Sequence, residues 1–225
     1  MPSFSRRFAK AAVVAYRRLL ARGTYKKYRH FTMIPPRWYT ANLAIAADLA
    51  PKQGCIIECG VWRGGMSAGL ADTLPGRTHF LFDSFEGLPP ANEDVDGADA
   101  IAYQRDKNHP SYHDNCRAER SFAEKAMGMS AAGKFTLVQG WFNETLRGFS
   151  PPEAIALLRL DGDWYESTME CLNALYPHVV KCGLILIDDY YTWDGCARAV
   201  HDYLSSHKLA DRIERSEGVC YMVKR

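Results

Sequence analysis

Ala154-Ile155-Ala156-Leu157-Leu158-Arg159-Leu160-Asp161-Gly162-Asp163 and Gly183-Leu184-Ile185-Leu186-Ile187-Asp188-Asp189 decide the fold. Each is a short run dominated by Leu, Ile and Ala that closes on acids. That length and near-continuous apolarity fit strands buried on both faces of a parallel sheet. Ligands of open α/β sheets bind outside the carboxyl ends of the strands. Asp161, Asp188 and Asp189 are therefore expected to meet at one edge. Three carboxylates converging there repel one another unless a hard cation such as Mg2+ lies between them.

Working outward, apolar runs alternate with helical patterns. Phe4 through Arg22 reads as a helix with Phe8, Ala12, Ala15 and Tyr16 on one face. Pro35-Pro36 introduces a helix over 37–49, because proline is tolerated in a first turn. Strands are expected at 55–58, 79–83, 135–139, 154–161 and 183–188, and helices at 67–74, 117–129, 166–179 and 195–207. Two last strands, 211–215 and 219–224, read as an antiparallel edge hairpin around Glu217-Gly218. The expected fold is α/β: a Rossmann-like, mostly parallel sheet with helices on both faces. Pro89 to Cys116 is polar and without periodicity, and is read as a structureless lid loop. The domain reading is a basic helical arm over 1–34 and one domain over 35–225.

The first strand leads into Glu58-Cys59-Gly60-Val61-Trp62-Arg63-Gly64-Gly65, an acid followed by a glycine-bearing turn into a helix that begins near Met66-Ser67. Glycines there let a ligand approach the backbone, and the free N–H groups of a helix start suit a carboxylate. The spacing is not the G-x-G-x-x-G dinucleotide fingerprint. The next strand ends in Asp83-Ser84, where an acid accepts hydrogen bonds from ribose hydroxyls. Together these features indicate a nucleoside cofactor. With Glu58 in place of a phosphate-gripping lysine, S-adenosylmethionine fits better than ATP.

These residues, with Gly140-Trp141-Phe142, Leu160 through Thr168 and Ile187-Asp188-Asp189-Tyr190, resemble the macrocin O-methyltransferase family over about 32–203. The resemblance implies a class I methyltransferase dependent on S-adenosylmethionine and Mg2+ that methylates sugar hydroxyls of natural products. It implies Asp161, Asp188 and Asp189 as metal ligands, with Asp161 doubling as general base. The cofactor contacts expected over these motifs are Glu58, Gly60, Trp62, Arg63, Gly64, Ser67, Asp83, Ser84, Gly140, Trp141, Phe142 and Asp161.

The residue types suit that chemistry. A sugar hydroxyl becomes a nucleophile when a cation stabilises its alkoxide and a carboxylate takes its proton. Asp163 is the rival base to Asp161. A vicinal hydroxyl on the acceptor would chelate the cation, so sugars and other diols are the expected partners. A catechol or phenolic acceptor is the alternative, and a non-catalytic nucleotide-binding protein the third reading.

Charge is uneven. Residues 1–47 carry ten Lys or Arg and no acid, leaving 18 basic residues against all 26 acids beyond them. A basic arm docking on a second copy of the chain, in a homodimer or larger homo-oligomer, is expected; no nucleic-acid motif is present. Seven cysteines without a C-x-x-C pair indicate a reducing cytoplasm, with Cys55, Cys59 and Cys182 expected in or beside buried strands. No apolar run reaches the length of a membrane span.

Overall fold

A computed structural model describes residues 19–51, 53–108 and 112–225. Most of the expected amino-terminal helix (4–22) lies outside them. Helix α1 covers residues 19–28. There follow α2 (Pro36–Leu49), β1 (Cys55–Cys59), α3 (Gly65–Thr73), β2 (Thr78–Asp83), α4 (Glu93–Arg105), α5 (Arg120–Gly128), β3 (Lys134–Gln139) and α6 (Phe142–Thr145). The chain continues with β4 (Ile155–Leu160), α7 (Tyr165–Leu175), β5 (Val179–Ile187), α8 (Asp194–Ser206), β6 (Glu214–Ser216) and β7 (Val219–Val223).

The seven strands lie in the order β3-β2-β1-β4-β5-β7-β6, with β1 to β5 parallel and β7 and β6 antiparallel at the edge. Strand order reverses between β1 and β4. Ligands of such sheets bind at this switch point, and it sets Glu58 beside Arg159 in register. Side-chain alternation splits the interior into two cores. Ile56, Leu81, Leu157, Leu184 and Leu186 face Ala21, Tyr28, Tyr39, Leu70 and Met127 from the helices on one side. Ile57, Phe82, Leu158, Leu160 and Ile187 face Leu172, Leu175, Val200 and Tyr203 on the other. The described part of the basic arm docks on its own chain: Lys27 Nζ and Tyr28 Oη both donate to Asp72, at 2.8 and 3.0 Å.

Three expectations need correction. The segment 89–116 is not structureless, for it contains α4 and a 3-10 turn at Asp114–Cys116. Only Asp96 and Ala100 of α4 are buried, and Gly97 breaks the helix at φ 83°, so no apolar stripe marked it. The helix expected over 166–179 stops at Leu175, because Pro177 cannot continue it. Strand β5 begins at Val179 instead, and Cys182 is exposed on its irregular first half, where the register with β4 shifts.

Candidate active site

The carboxyl ends of β1, β2, β4 and β5 open into a cleft of about 650 Å³. Gly60, Trp62, Asp83, Ser84, Gly140, Trp141, Phe142 and Asp161 line it, together with Asp163, Asp188 and Asp189. Four expected cofactor residues, Glu58, Arg63, Gly64 and Ser67, do not line it. Glu58 is turned into the sheet at 1% exposure, where Ser67 Oγ donates to its Oε2 and Arg159 Nη1 donates to its Oε1 at 2.6 Å. Arg63 lies between the rings of Trp62 and Phe122, 4.4 and 4.8 Å from their centroids. Gly64, at φ 78°, starts α3 in a conformation that favours glycine.

Asp83 organises the turn above β1. Its Oδ2 accepts the N–H groups of Val61 and Trp62 at 2.6 and 2.8 Å, and its Oδ1 accepts that of Phe85 at 2.6 Å. Burial raises its affinity for a proton, and the three N–H groups oppose that rise. Gly60 faces the far side of the turn with φ +86°, and a Cβ there would lie 1.8 Å from the carbonyl oxygen of Asp161. The ends of β1 and β4 thus meet backbone to backbone at Gly60 and Asp161.

Ligand oxygens of Asp161, Asp163 and Asp189 lie within 4.8 Å of one another. This grouping differs from the expected Asp161, Asp188 and Asp189. Asp188 stands beside it, with Oδ1 2.6 Å from Arg159 Nη2. Each of the four acids has one oxygen held by the protein. Arg159 Nη1 donates to Asp161 Oδ2 at 2.7 Å, Trp193 Nε1 donates to Asp163 Oδ1 at 2.9 Å, and the Asp163 N–H donates to Asp189 Oδ2 at 3.1 Å. Asp163 sits at φ 59°, a strained conformation for a residue with a Cβ. Burial and the neighbouring Asp161 push the Asp163 carboxyl up to about 8. Burial also pushes Asp188 up to about 6 against the pull of Arg159, and holds Asp189 well above the usual carboxylate range, with Asp163 and Asp161 adding to the shift. Burial is the largest cause in each case, and the neighbouring carboxylates add to it. An all-oxygen donor set of this kind suits a hard cation such as Mg2+.

Segments remote in sequence complete the walls: Met33, Ile34, Pro35 and Trp38 before and within α2, Tyr103 from α4, and Trp193 after β5. Trp164, by contrast, is buried and donates through Nε1 to the carbonyl of Pro89 at 2.9 Å, fastening the lid segment. His113 lines the cleft, whereas His109 lies outside the described residues.

Residues 30–225 match the family described as Macrocin-O-methyltransferase (TylF). The chain belongs to the macrocin O-methyltransferase family. It is 34% identical over 183 residues to the 8-demethyl-8-(2,3-dimethoxy-alpha-L-rhamnosyl)-tetracenomycin-C 4'-O-methyltransferase of Streptomyces olivaceus, covering 77% of this chain and 66% of that protein. It is 34% identical over 184 residues to the mycinamicin III 3''-O-methyltransferase of Micromonospora griseorubida, covering 76% and 70%. The chain thus spans about two thirds of the length of these curated relatives. Among solved structures, the O-methyltransferase NovP is 29% identical with a TM-score of 0.64, covering 86% of this chain and 82% of NovP. The calicheamicin methyltransferase CalS11, 20% identical over 89% of this chain and 91% of its own, shares the fold at a TM-score of 0.62.

Arg159 was missed by sequence reasoning although it carried a signal. It is the single charged residue in an otherwise apolar strand, and a buried guanidinium demands partners. The Met33–Trp38 wall carried none, because nothing local says which apolar residues face a cleft.

Proposed function

We propose that the protein is an S-adenosylmethionine- and Mg2+-dependent O-methyltransferase acting on a sugar hydroxyl of a natural product or glycoconjugate. The observation that carries the reading is the convergence of carboxylate oxygens from Asp161, Asp163 and Asp189 at the mouth of the β1/β4 switch point. The cofactor lies along Gly60, Trp62, Asp83, Ser84 and Gly140 to Phe142, and the acceptor lies between the aspartates, Tyr103 and Trp193. When bound, Mg2+ would lower the proton affinity of the acceptor hydroxyl, and S-adenosylmethionine would supply the methyl group.

The chain's own residues supply the rest. Asp161 and Asp189, with Asp163 or Asp188, hold the cation. The acceptor's proton goes to a carboxylate of the cluster, Asp161 or Asp163. Trp193 fixes the Asp163 oxygen, and much of the rate comes from orientation of acceptor and methyl group in the cleft. A rhamnosyl group in one relative's name and mycinamicin in another's support a glycoside acceptor. No helix among the described residues is long and apolar enough to cross a membrane, in keeping with work in the cytoplasm.

The test is calorimetric titration with S-adenosylmethionine and with NAD, each with and without Mg2+, followed by transfer of labelled methyl to glycosides bearing vicinal hydroxyls. Binding of S-adenosylmethionine but not NAD, and transfer abolished by EDTA, is expected. No S-adenosylmethionine binding sinks the reading, and full transfer in EDTA removes the cation from it.

A further inference from the structure

Arg159 is fully buried, and its guanidinium lies among carboxylates from three adjacent strands. The registers explain how. Glu58 of β1 is its cross-strand partner, Asp161 follows two residues later on the same sheet face, and Leu186, two residues before Asp188, is its partner on β5. The side chain therefore runs along the sheet towards the strand ends. Nη1 is shared between Glu58 and Asp161, and Nη2 faces Asp188. Glu58 is itself held from behind by Ser67 in the first turn of α3. A chain of contacts thus leads from α3 through Glu58 and Arg159 to the cleft. Only its last members, Asp161 and Asp188, reach the cleft wall.

We propose that Arg159, anchored by Glu58, is a positioning residue that aims Asp161 at the cation and fixes Asp188 beside it. It holds one oxygen of each aspartate, so the other oxygen of each is presented to the cleft in a fixed direction. A planar guanidinium with five donors in a fixed fork can do this for three carboxylates at once; an ammonium, a point charge on a flexible stem, offers no such fixed directions. Outer partners of this kind orient metal-ligating carboxylates, and their loss weakens metal binding by about 10–100-fold. The proposal rests on the methyltransferase reading above.

The experiment compares the parent protein with Arg159→Lys and Glu58→Gln. Mn2+ binding is read by electron paramagnetic resonance, S-adenosylhomocysteine binding by calorimetry, and turnover separately. Arg159→Lys is expected to bind Mn2+ at least about tenfold more weakly, to keep S-adenosylhomocysteine affinity within about threefold, and to lose kcat far more than it changes KM for the cofactor. Glu58→Gln shifts Mn2+ affinity in the same direction and decides the matter if Arg159→Lys does not fold. Parental Mn2+ affinity in a folded variant overturns the proposal, as does an equal loss of both affinities, which marks a merely structural role. A parent protein that binds neither Mn2+ nor S-adenosylhomocysteine overturns the methyltransferase reading itself.

Discussion

Replacing Gly60 with alanine would push a methyl group into the backbone of Asp161. The added Cβ would stand 1.8 Å from the Asp161 carbonyl oxygen and 2.7 Å from its carbon, both backbone atoms that no rotamer change can move. A φ of +86° adds strain of about 1–2 kcal/mol for a residue with a Cβ. Overpacking against that backbone adds about 1–3 kcal/mol. The sum, about 2–5 kcal/mol, is a large share of a typical folding free energy of about 5–15 kcal/mol. For a chain of this size it lowers Tm by roughly 4–20 °C in scanning calorimetry. The strand ends can relieve the clash only by separating by more than about 1 Å, and a misplacement of about that size costs on the order of 100-fold in turnover. Turnover should therefore fall even at temperatures where the variant is fully folded. A Gly60→Ala protein with parental Tm and parental turnover would show that β1 and β4 do not meet at Asp161.

Three further outcomes are expected. Asp163→Asn and Asp188→Asn separate the two possible ligand sets: Mn2+ titration should show the larger loss for Asp163→Asn if the cation sits where the oxygens already converge, and the larger loss for Asp188→Asn would restore the set Asp161, Asp188 and Asp189. In EDTA, Tm should fall as pH rises from about 6 to about 8, because a carboxyl whose affinity for protons is raised on folding stabilises the fold below its unfolded pKa and loses that contribution as pH passes the folded value, about 8 for Asp163; Mg2+ should flatten the slope, and a flat curve without Mg2+ would refute the crowding. The basic arm is proposed to join copies of the chain; since Ala21 and Tyr28 already pack in this chain's own core, the deletion that tests it stops at residue 18, and it should shift the particle towards monomer in light scattering, an unchanged mass excluding the proposal.

Most of the sheet was legible because buried parallel strands write themselves as uninterrupted apolar runs. Ile56 and Ile57 face opposite cores, yet both must be apolar, and the same holds for Leu157 with Leu158 and Ile185 with Leu186. Legibility failed where that coupling ends. Helix α4 buries almost nothing apolar and is held instead by polar contacts, with Asn92 capping Asp94 and Gln104 donating to the carbonyl of Pro89. Such contacts leave no periodic trace. At the site, the strand-end acids could be placed because topology alone puts them there. Which oxygens converge is different: it depends on the φ of Asp163, on Trp193 thirty residues away, and on an arginine that claims Asp188. Glu58 shows the same limit, since a strand-end acid next to a glycine turn reads alike whether it meets a ligand or an internal guanidinium.

Asp96 is the buried acid of α4. Its Oδ1 accepts the N–H of Tyr165 at the start of α7, at 2.7 Å, and its Oδ2 accepts that of Asn92, at 2.8 Å. Gly195, in the first turn of α8, leaves the seat, since a Cβ there would come within 2.0 Å of Asp96 Oδ1. Immediately beyond it, Gly97 breaks the helix. The cover of the cleft is thus built as a post followed by a joint. The post is bolted to the two helices that follow the aspartate-bearing loops, and the stretch past the joint carries Tyr103 into the acceptor half. Substitutions past the joint would therefore reshape the wall around Tyr103 while the bolt to Tyr165 stays in place. A change of cleft shape without a change of frame is what such an arrangement makes cheap.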